Sequence, residues 1–204
     1  MSKLKVLTSL PNFLRWLWLK RAAVLYLYEH RQWTGLMQMG SVSEPEGSFL
    51  EQLARETSDH PGDLVEIGTL LGFGTHYLAA GKAPAQRLIS VDNYSWNPLA
   101  LSPEQHVRLT RAVLHALIAR GEVEVRNEDK NLFFQSYAPA HPPALVFLDS
   151  DHSYEGTRED IRRSRQLGAK LICGHDYQEA CPGVVRAVDE AGGPSRLVGS
   201  VWVL

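Results

Sequence analysis

The chain has 204 residues, 44% of them apolar, and a formal net charge of −2. That length suits one domain with a substantial core, and the charge lacks the basic excess that draws proteins to nucleic acid, so no nucleic-acid partner is expected. Two cysteines, Cys173 and Cys181, are too few for a disulfide framework, and a reducing cytoplasm is the expected setting.

Residues 10–28 are rich in Leu, Trp and Tyr, but Arg15, Lys20 and Arg21 interrupt the run. No uncharged stretch of membrane length remains, and the ordered parts of a signal peptide are missing. The expectation is a soluble chain without stable membrane insertion, opening on an aromatic helix capped at Ser9 with Pro11 in its first turn. Phe13, Leu14, Leu17, Trp18, Leu25 and Tyr28 cover more than one face of that helix. It must therefore bury itself against the domain, a lipid surface or a partner subunit, the last giving a homodimer through the N-terminal helices. Residues 1–60 read as a helical extension packed on a domain over 61–204. Ser43-Glu44-Pro45-Glu46 is a capping box opening a second helix to about Thr57.

An α/β alternation starts at residues 63–77, DLVEIGTLLGFGTHY. Leu64, Val65 and Ile67 make the apolar run of a buried parallel strand, with the acid Glu66 near its end. Gly68, Gly72 and Gly74 follow, and a helix is expected over 75–80. Strand, glycine turn and helix in that order let backbone approach a nucleotide-like ligand, and glycine tolerates positive φ and carries no Cβ to keep a ligand away. The same turn can also be purely structural. The next strand, 87–91, ends at Asp92, where an acid commonly reaches ribose hydroxyls. No Walker lysine follows the glycines, so a neutral or cationic nucleoside fits better than a triphosphate. Residues 93–101 form a loop carrying Tyr94 and Trp96, which can shape an acceptor pocket or simply pack.

Ser102-Pro103-Glu104-Gln105 is a second capping box, with its helix running to Gly121. Residues 122–126 alternate as a strand near a sheet edge, and 144–148 form a fully apolar strand. A charged, exposed helix is expected over 153–167, a strand over 170–174, a helix over 183–191 and a closing pair of short strands over 196–204. The pattern implies a Rossmann-like, doubly wound, mostly parallel seven-stranded sheet with helices on both faces.

Ligands of such sheets sit at the carboxyl ends of the strands. There the chain places Asp149-Ser150-Asp151-His152 and Gly174-His175-Asp176-Tyr177. Two carboxylates aimed into one cleft repel unless a cation or proton lies between them. A hard divalent ion such as Mg²⁺ suits oxygen ligands, whereas the alternative use of these acids is helix capping or loop hydrogen bonding. His152 and His175 can each be a base, a metal ligand or scaffolding.

The run Glu66-Ile67-Gly68-Thr69-Leu70-Leu71-Gly72-Phe73-Gly74-Thr75 resembles the cofactor motif of class I S-adenosylmethionine-dependent methyltransferases. Phe147-Leu148-Asp149-Ser150-Asp151-His152-Ser153-Tyr154-Glu155-Gly156 resembles the metal-site motif of one subgroup. These are small-molecule O-methyltransferases of the macrolide and aminocoumarin tailoring kind, with cephalosporin-hydroxylase-like relatives. The resemblance continues through Gly174-His175-Asp176-Tyr177, Pro182-Gly183-Val184, Arg186-Ala187-Val188-Asp189-Glu190 and the ending Val198-Gly199-Ser200-Val201-Trp202-Val203.

It implies that Glu66, Gly68 and Gly72, with Thr75, line the methionine part of the cofactor. Asp92 would hold the ribose and Asp129 would lie near the adenine. Asp149, His175 and Asp176 would hold Mg²⁺ or a similar ion, His175 standing where several relatives have an acid. Asp151, or else His152, would accept the proton as a hydroxylated small molecule is methylated. Rival readings are a metal-independent O- or N-methyltransferase using Asp151 or His152, a cofactor-binding relative that transfers no methyl group, and an interaction or membrane-surface module built on the N-terminal helix.

Overall fold

The computed structural model describes residues 42–96 and 101–204. The aromatic helix expected over 10–28, and the dimer contact assigned to it, lie outside these residues. Seven strands form one sheet in the order β3-β2-β1-β4-β5-β7-β6. They are β1 (Leu64–Ile67), β2 (Leu88–Asp92), β3 (Val123–Asn127), β4 (Leu145–Leu148), β5 (Leu171–Gly174), β6 (Arg196–Val198) and β7 (Val201–Val203). The first five are parallel, whereas β7 runs antiparallel to both β5 and β6. Strand order reverses between β1 and β4, the switch point at which α/β sheets bind ligands.

The helices are α1 (Glu44–Glu56), α2 (Phe73–Gly81), α3 (Pro103–Val113), α4 (His115–Ala119), α5 (Lys130–Ser136), α6 (Tyr154–Gln166) and α7 (Pro182–Glu190). Alternation along the strands divides the core in two. Leu64, Leu88, Leu145, Phe147 and Cys173 face Leu50 and Leu53 of α1, Leu78 of α2 and Leu117 of α4. On the other face Val65, Ile67, Ile89, Val146 and Ile172 meet Phe133 of α5, Ile161 of α6 and Val184 and Val188 of α7. Each face buries enough apolar surface to hold its layer of helices.

Three local expectations are corrected. The helix expected through 102–121 is broken: Leu114, at ψ 5°, ends α3 and precedes α4, and its buried side chain packs against Gly72. Helix α5 was not foreseen, being seven residues long and started by a cap, Asp129, whose carboxylate accepts from the Asn131 amide. The helix after β4 is not wholly exposed, since Thr157, Asp160, Ile161 and Ser164 are buried along one side.

Candidate active site

The carboxyl ends of the parallel strands surround a cavity of about 450 Å³. Of the residues singled out from sequence, Gly68, Asp92, Asp129, Asp149, Asp151, His152 and Asp176 line it together. Glu128 joins the acids, Lys130 faces them, and Trp96 stands at the rim, 56% exposed. A cavity with six carboxyl side chains against one lysine and one histidine favours cationic ligands, a sulfonium among them.

The wall from β1 and β2 is fastened to itself. Gly68 takes φ 101° and Gly72 φ 85°, as a glycine turn requires. The positive φ is as expected, but the absent Cβ serves another end. A Cβ on Gly68 would lie 2.0 Å from the Asp149 carbonyl oxygen, and one on Gly72 would meet Leu114. The missing side chains make room for the protein itself. Asp92 Oδ2 accepts from the Thr69 and Leu70 amides, both at 2.9 Å, and its Oδ1 accepts from the Tyr94 amide at 2.7 Å. The acid thus ties the turn after β1 to the loop after β2.

Glu66, Gly72 and Thr75 lie behind that turn and off the main cavity. The buried Glu66 carboxyl meets the hydroxyls of Thr75, at 2.5 Å, and Ser90. Burial pushes its pKa up to about 8, against the stabilising pull of those hydroxyls. It faces a minor hollow of about 10 Å³ shared with Val42, Gly68 and Asp149.

The wall from β4 and β5 is built of opposed charges. Asp151 Oδ1 accepts from the Ser153 amide, and its Oδ2 lies 3.5 Å from Lys130 Nζ, which also bonds the buried Asp160 at 2.6 Å. Burial works against ionisation of Asp151, but Ser153 and Lys130 hold its pKa below the usual carboxylate range. Ser153 caps α6 by accepting from the Gly156 amide, so the capping alternative and the cavity position coexist in adjacent residues.

His152 Nε2 lies 2.7 Å from Asp176 Oδ2, and that carboxylate holds the imidazole above its ordinary pKa despite burial. Asp149, His175 and Asp176 bring one ligand-type atom each within 4.8 Å of one another. His175 sits just behind the cavity, its amide bonded to the Leu148 carbonyl and its own carbonyl accepting from Trp202 Nε1 at 3.0 Å. Burial opposes protonation of His175, but Asp176, Asp149 and Glu46 raise its pKa to about 9. Asp176 takes φ 61°, uncommon outside glycine, and so turns its side chain toward both histidines.

Lys130, Glu46 and Ser200 escaped the sequence reading. Glu46 was legible only as the fourth residue of a capping box, which it is: Oε2 accepts from the Ser43 amide and hydroxyl. Its Oε1 accepts from the amide and hydroxyl of Ser200, 154 residues away, a pairing no local pattern announces.

No curated protein matches the chain. Among solved structures it is similar to an O-methyltransferase from Bacillus cereus in complex with SAH, at 19% identity and TM-score 0.60, over 90% of this chain and 87% of that one. It is similar to the O-methyltransferase TomG from Streptomyces achromogenes, in complex with SAM, at 19% identity and TM-score 0.57, over 74% and 70% of the two chains. CalS11, a TDP-rhamnose 3′-O-methyltransferase of calicheamicin biosynthesis, gives 15% identity and TM-score 0.58 over 85% and 91%. Such likenesses share the fold. The methyltransferase domain family matches residues 65–177, over half of the chain and the stretch that runs from the glycine turn through Asp92 and Asp149 to Asp176. By that match, on the fold and around the cavity described, the chain belongs to the methyltransferase domain family.

Proposed function

We propose that the chain transfers a methyl group from S-adenosylmethionine to a hydroxyl of a small molecule, assisted by a divalent cation at Asp149, His175 and Asp176. The observation that carries this reading is one cavity at the sheet's switch point holding the Gly68 turn, Asp92, and the Asp149–Asp176 pair. S-adenosylmethionine supplies an already activated methyl group, so the protein's task is mainly alignment. A divalent cation, when bound, supplies the Lewis acidity that eases deprotonation of a hydroxyl. Similar structures support the class: two hold SAH or SAM, and one is a TDP-rhamnose 3′-O-methyltransferase.

Gly68 and Asp92 form the nucleoside side, and Asp129 lies farther along the same wall near Lys130. The acceptor enters past Trp96. His152 is the proton acceptor that the geometry favours over Asp151. A proton kept on its Nε2 by Asp176 leaves Nδ1 as the basic atom of the ring. Asp151, bonded to the Ser153 amide and close to Lys130, is the weaker base. Calorimetry of the purified chain with S-adenosylmethionine tests the reading: saturable binding is expected, and absence of binding of both this ligand and its demethylated product would overturn it.

A further inference from the structure

The Asp149–His175–Asp176 cluster contains a buried ring nitrogen that faces two carboxylates without a hydrogen bond of good geometry. His175 is 5% exposed, and its Nδ1 is buried without a hydrogen bond. That nitrogen lies 3.4 Å from Asp176 Oδ1 and 3.7 Å from Asp149 Oδ1. His76 and His106 also bury ring nitrogens without a hydrogen bond, but the His175 nitrogen lies between two carboxylates, and that placement points to a cation.

The other ring nitrogen is fixed from behind. Ser200 Oγ lies 2.9 Å from His175 Nε2 and donates to Glu46 Oε1, also at 2.9 Å. Glu46 collects four donors, from Ser43 and Ser200, and a carboxylate so placed can only accept. The single Ser200 proton therefore goes to Glu46, and Nε2–H donates to Ser200. Nδ1 is then the ring atom left to face the two acids, and a cation bound there would take the place of the proton they favour on it. A histidine whose rear N–H is anchored through a hydroxyl to a carboxylate is the arrangement that orients imidazole toward a metal. Asp176 serves both neighbours with different atoms, Oδ1 toward His175 and Oδ2 to His152.

We propose that His175 ligates the cation through Nδ1, that Ser200 and Glu46 are its positioning residues, and that this nitrogen selects a first-row transition ion over Mg²⁺. The inference rests on the cation site of the proposed function and assigns its metal. Magnesium prefers an all-oxygen shell, whereas imidazole suits Zn²⁺ and other later first-row ions, with Mn²⁺ the weakest binder of that series.

The test uses the untagged full chain, with Zn²⁺, Mn²⁺ or Mg²⁺ alone in equilibrium dialysis. Zn²⁺ and then Mn²⁺ are expected to bind at least about tenfold more tightly than Mg²⁺. Pulsed electron paramagnetic resonance of the Mn²⁺-loaded chain should show coupling to one imidazole nitrogen. In His175→Asp that coupling should vanish and the Mg²⁺ disadvantage should shrink. Glu46→Gln, which keeps the side chain's shape, should weaken Mn²⁺ binding about 10–100-fold.

Equal affinity for Mg²⁺ and Mn²⁺, absence of nitrogen coupling in the wild-type chain, its persistence in a folded His175→Asp (which would make His152 the donor), or an unchanged Glu46→Gln would each overturn the proposal. The wild-type spectrum decides even if His175→Asp fails to fold. S-adenosylmethionine calorimetry without metal reports separately on the methyl-transfer reading, so either idea can fail alone.

Discussion

The two walls of the cavity handle their acids in opposite ways. On the β1–β2 wall Asp92 accepts from three backbone amides, and Glu66 is buried among hydroxyls. On the β4–β5 wall Asp149, Asp151 and Asp176 crowd against His152, His175 and Lys130, and one buried nitrogen has no hydrogen bond. On the first wall these acids are held by the fold itself. The second is arranged around charge that a cation would balance. A fixed cradle beside an electrostatically demanding centre suits the proposed methyl transfer, in which one side would hold the donor still and the other activate the acceptor.

The comparison breaks most visibly at His152. His152→Ala is expected to lower kcat about 10²–10⁴-fold while leaving S-adenosylmethionine affinity by calorimetry unchanged. A drop of less than about tenfold would move the proton to Asp151. The opposite wall should fail by folding. Gly68→Ala places a methyl 2.0 Å from the Asp149 carbonyl oxygen at φ 101°, and should cost about 3 kcal/mol in urea unfolding. Gly121→Ala, at φ 71° but with nothing within 4 Å, should cost only about 1 kcal/mol. Equal losses would show that the turn is not wedged against β4.

Glu66 sharpens the contrast through pH. Its pKa in the folded chain, raised to about 8 mainly by burial, exceeds the ordinary carboxylate value, so the folded state binds the proton more tightly. The associated stability is fully present below about pH 4.5 and is lost as pH rises through about 8. Glu66→Gln should therefore lose less stability than the wild type between pH 5 and 9, by about 4 kcal/mol in paired urea titrations. Parallel curves would mean that Thr75 and Ser90 stabilise the carboxylate enough to cancel its burial.

The same contrast governs what sequence could reveal. Apolar strands, glycine turn and strand-end acids are local patterns, so the sheet and the gathering of Asp92, Asp149 and Asp176 were legible before the fold. The break at Leu114 was not, since its long-range contact with Gly72 leaves no mark on the helical pattern around it. Nor were Glu46–Ser200 or Lys130–Asp160, pairs separated by 154 and 30 residues whose members look like a cap and ordinary surface charges. Partners of buried charge are chosen by topology, and topology is what a linear pattern leaves out.

Trp96 offers the smallest expected effect and tests where the two walls meet. The ring is largely exposed, yet it lies edge-on to His152, with centroids 6.4 Å apart and planes at 79°. An exposed tryptophan at a cavity rim either grips the acceptor or steadies the base. Gripping alone predicts that Trp96→Ala raises the acceptor KM about fivefold, near 1 kcal/mol, with kcat unchanged. Steadying His152 predicts that kcat falls as well, because the ring would lose one of the contacts that set its angle. The split between KM and kcat therefore tells whether Trp96 acts on the acceptor alone or also through His152 on the β4–β5 wall.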